Sequence, residues 1–300
     1  MKSVAVICPK QNLIFDDIAQ ALCISFMELG WISVRVETRE EIKSIAKDME
    51  YALVITPHDY PDIRSLLPNS KIILYQTEVL PWLNQQQKIV SWLGRKCDDR
   101  WRKLNTLLYN YDIIFDYDKI NIEHNLKYSC ANKKVGFLPI GYSPIFELDE
   151  SVPSSDTILL VGNTTERRLQ VFNAILRSDY KVQWVRSKYQ SDAVKLIKGA
   201  AINLNLHIYD LPMFESPRIV QQLFSNRVFV ISEPCSSAAE FKDGLHWGMA
   251  NFRFFPDMIR FYLKHPDLRF QIADNAYNFV TKHYTMVNLL EQVLVDMGEL

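Results

Sequence analysis

The sequence predicts an α/β protein of two Rossmann-like domains, each a parallel sheet covered by helices, with a cleft between them and helices at the C-terminal end. Three observations predict it. Apolar, β-rich runs alternate with segments of helical period along almost the whole chain, the pattern of parallel strands joined by crossover helices. The 300 residues are about twice the commonest domain length, so two domains are expected. Between two series of strands, at SPIFELDESVPSSD (Ser143 to Asp156), acidic residues, serines and two prolines replace the apolar periodicity. That stretch reads as the interdomain linker.

The first series of strands runs SVAVICP (from Ser3), SVRVET (from Ser33), YALVITP (from Tyr51), KIILYQTE (from Lys71), DIIFDYD (from Asp112) and KVGFLPIG (from Lys134). Helical stretches fill the gaps, notably Phe15 to Leu29 and a long one within Asn84 to Leu108. The second series opens at DTILLVG (from Asp156) and continues with KVQWVRS (from Lys181), AAINLNLH (from Ala200), RVFVISE (from Arg227) and MANFRFF (from Met249). After Phe255 only helices follow. In the last, Val287, Leu290, Leu294 and Met297 form one apolar stripe, so residues 286–300 are expected to pack back on the first domain. The domains are therefore expected at 1–148 and 156–285, with the terminal helix at 286–300.

Composition narrows the function. With 34 Lys+Arg against 35 Asp+Glu the net charge is -1, which offers a polyanion no electrostatic excess and argues against nucleic-acid binding. No apolar run is long enough to span a bilayer, and Asp16 and Asp17 come too early for a secretory signal, so a soluble, cytoplasmic protein is expected. The five cysteines never fall as C-x-x-C and suggest neither a disulfide framework nor a zinc site.

Ligands of open parallel sheets bind at the carboxyl ends of the strands, so the candidate residues are sought there. In LLVGNTTERR a buried strand meets Gly162, then Asn163 and Thr164, before a helix. Glycine permits a tight turn and close backbone approach, and the helix start favours an anion. Many α/β proteins carry such a junction with no ligand, and Arg167 and Arg168 read by default as solvated helix residues. In FESPRIVQQLFSNRVFVISE, Ser216 fits an N-cap and Pro217 the first helical position, which puts Arg218 in the first turn. A cation there opposes the helix dipole; a bound diphosphate would justify it, and so would a salt bridge to Glu215. In AINLNLH, Asn203, Asn205 and His207 share one strand face, where a ligand or a buried network must satisfy them.

In the first half, His58, Asp59 and Glu78 follow strands and are placed to act as a base. Asp116 and Asp118 form an Asp-x-Asp that could hold a divalent ion, although an Asp-rich loop start is the more economical account, and no metal is expected. The segment Lys88 to Leu104 mixes Trp92 and Trp101 with Arg95, Lys96, Arg100, Arg102 and Lys103. It reads as a helix that makes a peripheral membrane contact or grips an anionic acceptor, or else as a surface helix packed by its tryptophans; Asp98 and Asp99, which interrupt the cations, favour the last.

The order of these pieces resembles the GT-B glycosyltransferases, most closely the CgeB-like (spore-maturation type) branch near the group 1 transferases. The matching segments are PNSKIILYQTE, YDIIFDYDKINIEH, VGFLPIGYSPIFE, LLVGNTTERR, INLNLH, PRIVQQLFSNRVFVISE and the close from EFKDGL to KHYT. The resemblance implies a nucleotide-sugar donor held mainly by the second domain, an acceptor held mainly by the first, and no obligatory metal. It departs where the family's R-x-x-E-x-x-x-x-G has Gln221 at the Glu and Asn226 at the Gly.

The expected activity is transfer of a sugar from a nucleoside diphosphate donor to a carbohydrate, lipid-linked or protein hydroxyl, with no cofactor beyond that co-substrate. Arg218, helped by Arg167, Arg168 and the backbone after Gly162, would stabilise the departing diphosphate. Asn163, His207, Glu215, Ser216 and Gln221 would orient the donor, and Glu78 or Asp59 would serve as base in an inverting enzyme. The alternative is a non-catalytic two-domain protein that binds a nucleotide or glycan.

Overall fold

The structure, a computed structural model, describes residues 1–9, 15–90, 93, 95–176, 180–186, 190–209, 211–235 and 237–300. They form two compact units, Met1–Ile140 with Met286–Leu300, and Gly141–Thr285. Trp92 and the side chains of Arg95 and Lys96, which belong to the membrane-contact reading, lie outside the described residues.

The first unit is a parallel sheet of β1 (Ser3–Ile7), β2 (Ile32–Val36), β3 (Tyr51–Val54), β4 (Lys71–Gln76), β5 (Ile113–Asp116) and β6 (Lys134–Phe137), in the order β2-β1-β3-β4-β5-β6. Every residue of β1 and β3 is buried. That is why SVAVI and YALV are continuous apolar runs: helices cover both faces of a parallel sheet. The order reverses between β1 and β3, which opens a crevice at their carboxyl ends.

The last helix, Met286–Asp296, belongs to this unit and buries Leu290, Val293 and Leu294. Gly136 on β6 admits it, because a Cβ there would lie 2.5 Å from Val293 Cγ2. Beyond the helix, Glu299 is only 3% exposed and accepts hydrogen bonds from Lys71 Nζ (2.6 Å), Lys134 Nζ (2.9 Å) and the Tyr51 hydroxyl (3.1 Å). These bonds tie the chain end to β3, β4 and β6.

Asp116 and Asp118, at the end of β5, are wholly buried. Asp116 Oδ1 accepts the Asp118 N–H at 2.8 Å, and both its oxygens accept from Asn121 Nδ2, at 3.0 and 3.2 Å. Asn121 also donates to Glu78 O at 2.8 Å, while its Oδ1 takes the Leu80 N–H at 2.9 Å. Asp118 Oδ1 caps the next turn at the Ile120 N–H. The pair thus shapes the loop after β5 and, through Asn121, the loop after β4.

The second unit is a parallel sheet of β7 (Ile158–Val161), β8 (Val182–Val185), β9 (Ile202–Asn205), β10 (Val230–Ser232) and β11 (Gly248–Met249), ordered β11-β10-β9-β7-β8. Here the order reverses between β7 and β9. Ile158, Leu160, Ile202, Leu204 and Ile231 enter a core closed by Val171 and Ile175 of the helix Glu166–Leu176 and by Phe255 and Ile259 of the helix Phe255–Lys264. The expected strand MANFRFF ends early, at Met249. Asn251 Oδ1 accepts the Arg253 N–H at 3.1 Å and starts a short turn at Phe252–Phe254, and Pro256, which has no N–H for a ladder, enters a helix instead.

The stretch expected as a linker lies within this unit, and its first part is held there by Asn226. The Asn226 Nδ2 donates to Phe146 O at 3.0 Å and its Oδ1 accepts the Leu148 N–H at 2.9 Å. Glycine could make neither bond. The following residue, Arg227, takes the left-handed turn at φ 52 and lays its guanidinium 4.0 Å from the Tyr277 ring centroid.

Two carboxyls of the first unit should answer pH in opposite ways. Burial alone would raise the pKa of Glu299, but its bonds from Lys71, Lys134 and Tyr51 hold it below the ordinary value. Its stabilisation is therefore complete above the ordinary carboxylate range and is lost as pH falls through the lowered pKa. Glu299→Gln should lower unfolding stability at pH 7 by roughly 1–3 kcal/mol and flatten the acid limb of the urea-unfolding profile. Asp116 is the reverse case. Burial pushes its pKa well above the ordinary value, against the bonds from Asp118 and Asn121, so its ionisation destabilises the fold as pH rises. Asp116→Asn, which keeps an acceptor for Asp118 and Asn121, should leave stability at pH 8 equal or higher. A loss of more than about 2 kcal/mol at both pH 5 and pH 8 would show that the carboxylate itself is required.

Candidate functional site

At the carboxyl ends of β7 and β9, where the second sheet reverses its order, three arginines and two glutamates meet. Gly162 turns the chain at the end of β7 with φ +137, a conformation that favours glycine. A Cβ at this position would stand 2.8 Å from Arg168 Nη1 and 3.0 Å from Arg218 Nη2. The missing side chain is what lets two guanidiniums approach one peptide.

Arg168 is no solvated helix residue: it is 1% exposed. Its Nε donates to Leu206 O at 2.8 Å and its Nη2 reaches the same carbonyl, while its Nη1 donates to Asn163 O at 3.2 Å. The guanidinium therefore ties the segment after β9 to the turn after β7. Burial holds its pKa down to about 10, with the neighbouring Arg218 acting in the same direction and Glu215 opposing. Arg218 donates through Nη1 to Val161 O, and its buried Nε has no hydrogen-bond partner. Glu215 stands 3.8 Å from Arg168 and 3.5 Å from Arg218. One carboxylate is thus shared, at long range, by two guanidiniums.

Arg167 is differently occupied. Its Nη1 donates to Glu233 Oε2 at 2.7 Å, its Nη2 pairs with the other carboxylate oxygen, and its guanidinium lies 5.6 Å from the Phe252 ring centroid. Glu233 Oε2 also accepts the His207 N–H at 2.8 Å. His207 is buried, with Nε2 3.2 Å from Pro234 O and Nδ1 without a partner. Arg167 and Glu233 thus form a bidentate clamp that fixes the His207 backbone. Thr164 Oγ1 is another buried polar atom here without a partner.

Ser216 does not cap a helix. It is fully buried with helical dihedrals (φ -54, ψ -34), and its side chain makes no cap hydrogen bond. The Arg218 and Ile219 N–H groups both bond Glu215 O at 2.9 Å, so the turn begins one residue earlier and continues as a seven-residue π-helix, Pro217–Leu223. Arg218 is placed by its bond to Val161 and by Glu215, with no free helix terminus beneath it. Gln221 is half-buried on this helix, and Asn163 is exposed in the turn after Gly162.

Asp59 and Glu78 lie in the first unit, on the wall of a cavity of about 140 Å³ at the carboxyl ends of β3 and β4. Glu78 accepts from Arg100 Nη1 at 2.6 Å. Its backbone is held from both sides, its N–H by Gln76 Oε1 and its carbonyl by Gln76 Nε2 and Asn121 Nδ2. His58, Thr56 and Trp101 also line the cavity. Glu233 and Thr56 are not among the residues that the sequence singles out, and Arg100, expected only as one of the cations of residues 88–104, is the partner of Glu78. For Glu233 the one available signal was its place directly after the β10 run.

Comparison with known proteins agrees with this architecture. Residues 155–295 match the model of a family described as glycosyl transferase-like. No curated protein matches the chain. Among solved structures, the chain is similar to sucrose-phosphate synthase from Thermosynechococcus elongatus, at 10% identity and a TM-score of 0.67, with 99% of each chain covered. It is similar to Anabaena HepE in complex with UDP and glucose, at 9% identity and a TM-score of 0.60 over all of both chains. A third is AviGT4, a glycosyltransferase of avilamycin A biosynthesis, at 13% identity and a TM-score of 0.60, covering 100% of this chain and 98% of that one. By fold, then, the chain is of the GT-B type, two parallel-sheet α/β domains with helices, and its match to the glycosyl transferase-like family takes in most of the second unit and most of the last helix.

Proposed function

We propose that this protein is a glycosyltransferase that uses a nucleoside diphosphate sugar, its diphosphate bound by Arg168 and Arg218 at Gly162. The observation that carries this reading is the charge at the end of β7. Two guanidiniums share one distant carboxylate, a surplus of positive charge on groups that are 1% and 19% exposed. A buried cation surplus calls for an anion. Two planar forks beside an open glycine backbone suit the spread oxygens of a diphosphate. The glycosyl transferase-like family match and the UDP in the HepE structure support the choice.

In the reaction the bond between the sugar's anomeric carbon and the diphosphate oxygen breaks, and the acceptor hydroxyl oxygen forms the new bond to that carbon. The pair of electrons leaves with the diphosphate, whose charge rises, and Arg218 and Arg168 stabilise it without an obligatory metal. The hydroxyl proton goes to Glu78 or Asp59 in an inverting enzyme, or to the departing phosphate in a retaining one. Asn163, His207 and Gln221 orient the donor. Arg167 acts indirectly, since Glu233 occupies its guanidinium.

Incubation with UDP-, GDP-, ADP- and dTDP-linked sugars should release free nucleoside diphosphate from at least one donor, with or without chelator. Failure of every donor to be hydrolysed, together with failure of every nucleoside diphosphate to raise the melting temperature, would refute the reading. Stabilisation without hydrolysis would assign a binding protein, as Gln221 in the family's Glu position would allow. Manganese-dependent activity lost in chelator would overturn the metal-free step.

Substitution separates the two arginines. Arg218→Ala loses one bond to Val161 and a long contact to Glu215, so it should cost about 1 kcal/mol of stability but lower turnover by roughly a hundredfold. Arg218→Lys should recover only part, because an ammonium cannot form the fork. Arg168→Ala orphans the Leu206 carbonyl and empties a buried volume, and should cost roughly 2–4 kcal/mol. An Arg218→Ala protein that melts far below wild type while binding nucleoside diphosphate normally would make Arg218 a structural ion-pair partner.

A further inference from the structure

The cavity at the carboxyl ends of β3 and β4 is lined in part by Thr56, whose hydroxyl the protein leaves unpaired. Thr56 is 7% exposed, and its Oγ1 is buried without a hydrogen-bond partner. A buried hydroxyl left unpaired costs free energy that a ligand hydroxyl can restore, because each group can donate and accept. Ile55, Leu80 and Trp101 supply the apolar part of the lining. At about 140 Å³ the space is of the order of one six-membered sugar ring.

Charge narrows the ligand further. Among the described lining residues the titratable groups are His58, Asp59, Glu78 and Arg100. Arg100 is the one arginine or lysine, and Glu78 already holds it at 2.6 Å. Lys103 lies within electrostatic reach of His58 but does not line the cavity. His58 is held below the ordinary imidazole pKa, desolvation being the largest cause, and so adds no cation at neutral pH. A phosphate would have to take Arg100 from Glu78 and face Asp59. The Asp59 and Glu78 carboxylates and the Thr56 hydroxyl suit sugar hydroxyls instead.

We infer that this pocket binds an uncharged, hydroxyl-bearing ring of monosaccharide size through Thr56, and discriminates against its phosphorylated form. As the identity of the acceptor this rests on the transferase reading; as a binding site it does not.

The test is titration of the full chain with glucose, galactose, mannose and myo-inositol, each beside its monophosphate, by calorimetry and saturation-transfer NMR. At least one neutral ring should bind, and its phosphate should bind at least about tenfold more weakly. Thr56→Val should weaken that ring by about fivefold or more while the melting temperature stays or rises, because the change removes a buried hydroxyl that nothing satisfied. Thr56→Ser should keep affinity. Glu78→Gln, which releases Arg100, should narrow the gap between ring and phosphate.

Binding of no neutral ring, tighter binding of a phosphate, or an unchanged affinity in Thr56→Val would each overturn the inference. Melting with UDP, run on the same samples, keeps the two proposals apart. Ring binding as described with no response to any nucleoside diphosphate or donor would leave the pocket standing and remove the transferase reading. The opposite pattern would do the reverse.

Discussion

The buried guanidinium of Arg168 is the constraint on which the second unit's site depends. A group with five donors and no acceptor can be buried only where acceptor oxygens converge on it. The carbonyls of Asn163 and Leu206 do so, one after β7 and one just past β9. Those are the two strands between which the sheet reverses its order, so the loops there part and leave backbone oxygens that no strand claims. Arg168 fills that opening with charge. Gly162 lets it and Arg218 come close, and Glu215 offsets only part of the result. The proposed anion site follows from topology first and from residue identity second.

The neighbouring clamp of Arg167 and Glu233 shows how the same segment keeps its charges apart. Arg167 and Arg168 are adjacent in sequence, and with equal freedom both would crowd the same space. The bidentate pair with Glu233 holds Arg167 toward β10, where the carboxylate also secures His207. The His207 ring therefore has a fixed backbone and an unpaired Nδ1. Such a group is already oriented for a ligand and needs little reordering to meet one.

Much of the fold was legible in the sequence because parallel strands are buried on both faces. YALV and ILLV have no alternation to misread, and their order with the intervening helices leaves few architectures. Phe252 to Phe255 misled because an aromatic run looks the same at a strand and at a helix start, and Asn251 and Pro256 decided it. Ser216 misled because a cap is a tertiary outcome as well as a local one: the Glu215 carbonyl took the N–H groups that a cap would serve. Gly162, Arg168 and Arg218 could each be singled out by position, but their convergence could not. It depends on β7 and β9 being neighbours although β8 lies between them in sequence. Thr56 carried no signal at all, since a hydroxyl is notable only once its surroundings have failed to pair it.

The two units also differ in how they dispose of charge, and under the proposed function this difference would separate the substrates. The second unit brings Arg168 and Arg218 against one shared carboxylate and keeps a positive remainder away from water. Among its described lining residues the first closes the one arginine onto Glu78, with Asp59 also on the wall. An anion placed in the first pocket would meet no free cation among the described lining residues, and a neutral ring placed at Gly162 would leave two guanidiniums unanswered. Leaving an interior charge unpaired costs several kcal/mol, far more than a misplaced hydroxyl does. Under the proposed function each site would thus reject the other's ligand by the group left unsatisfied. A charged leaving group and an uncharged acceptor can be sorted in this way without any contact specific to the sugar itself.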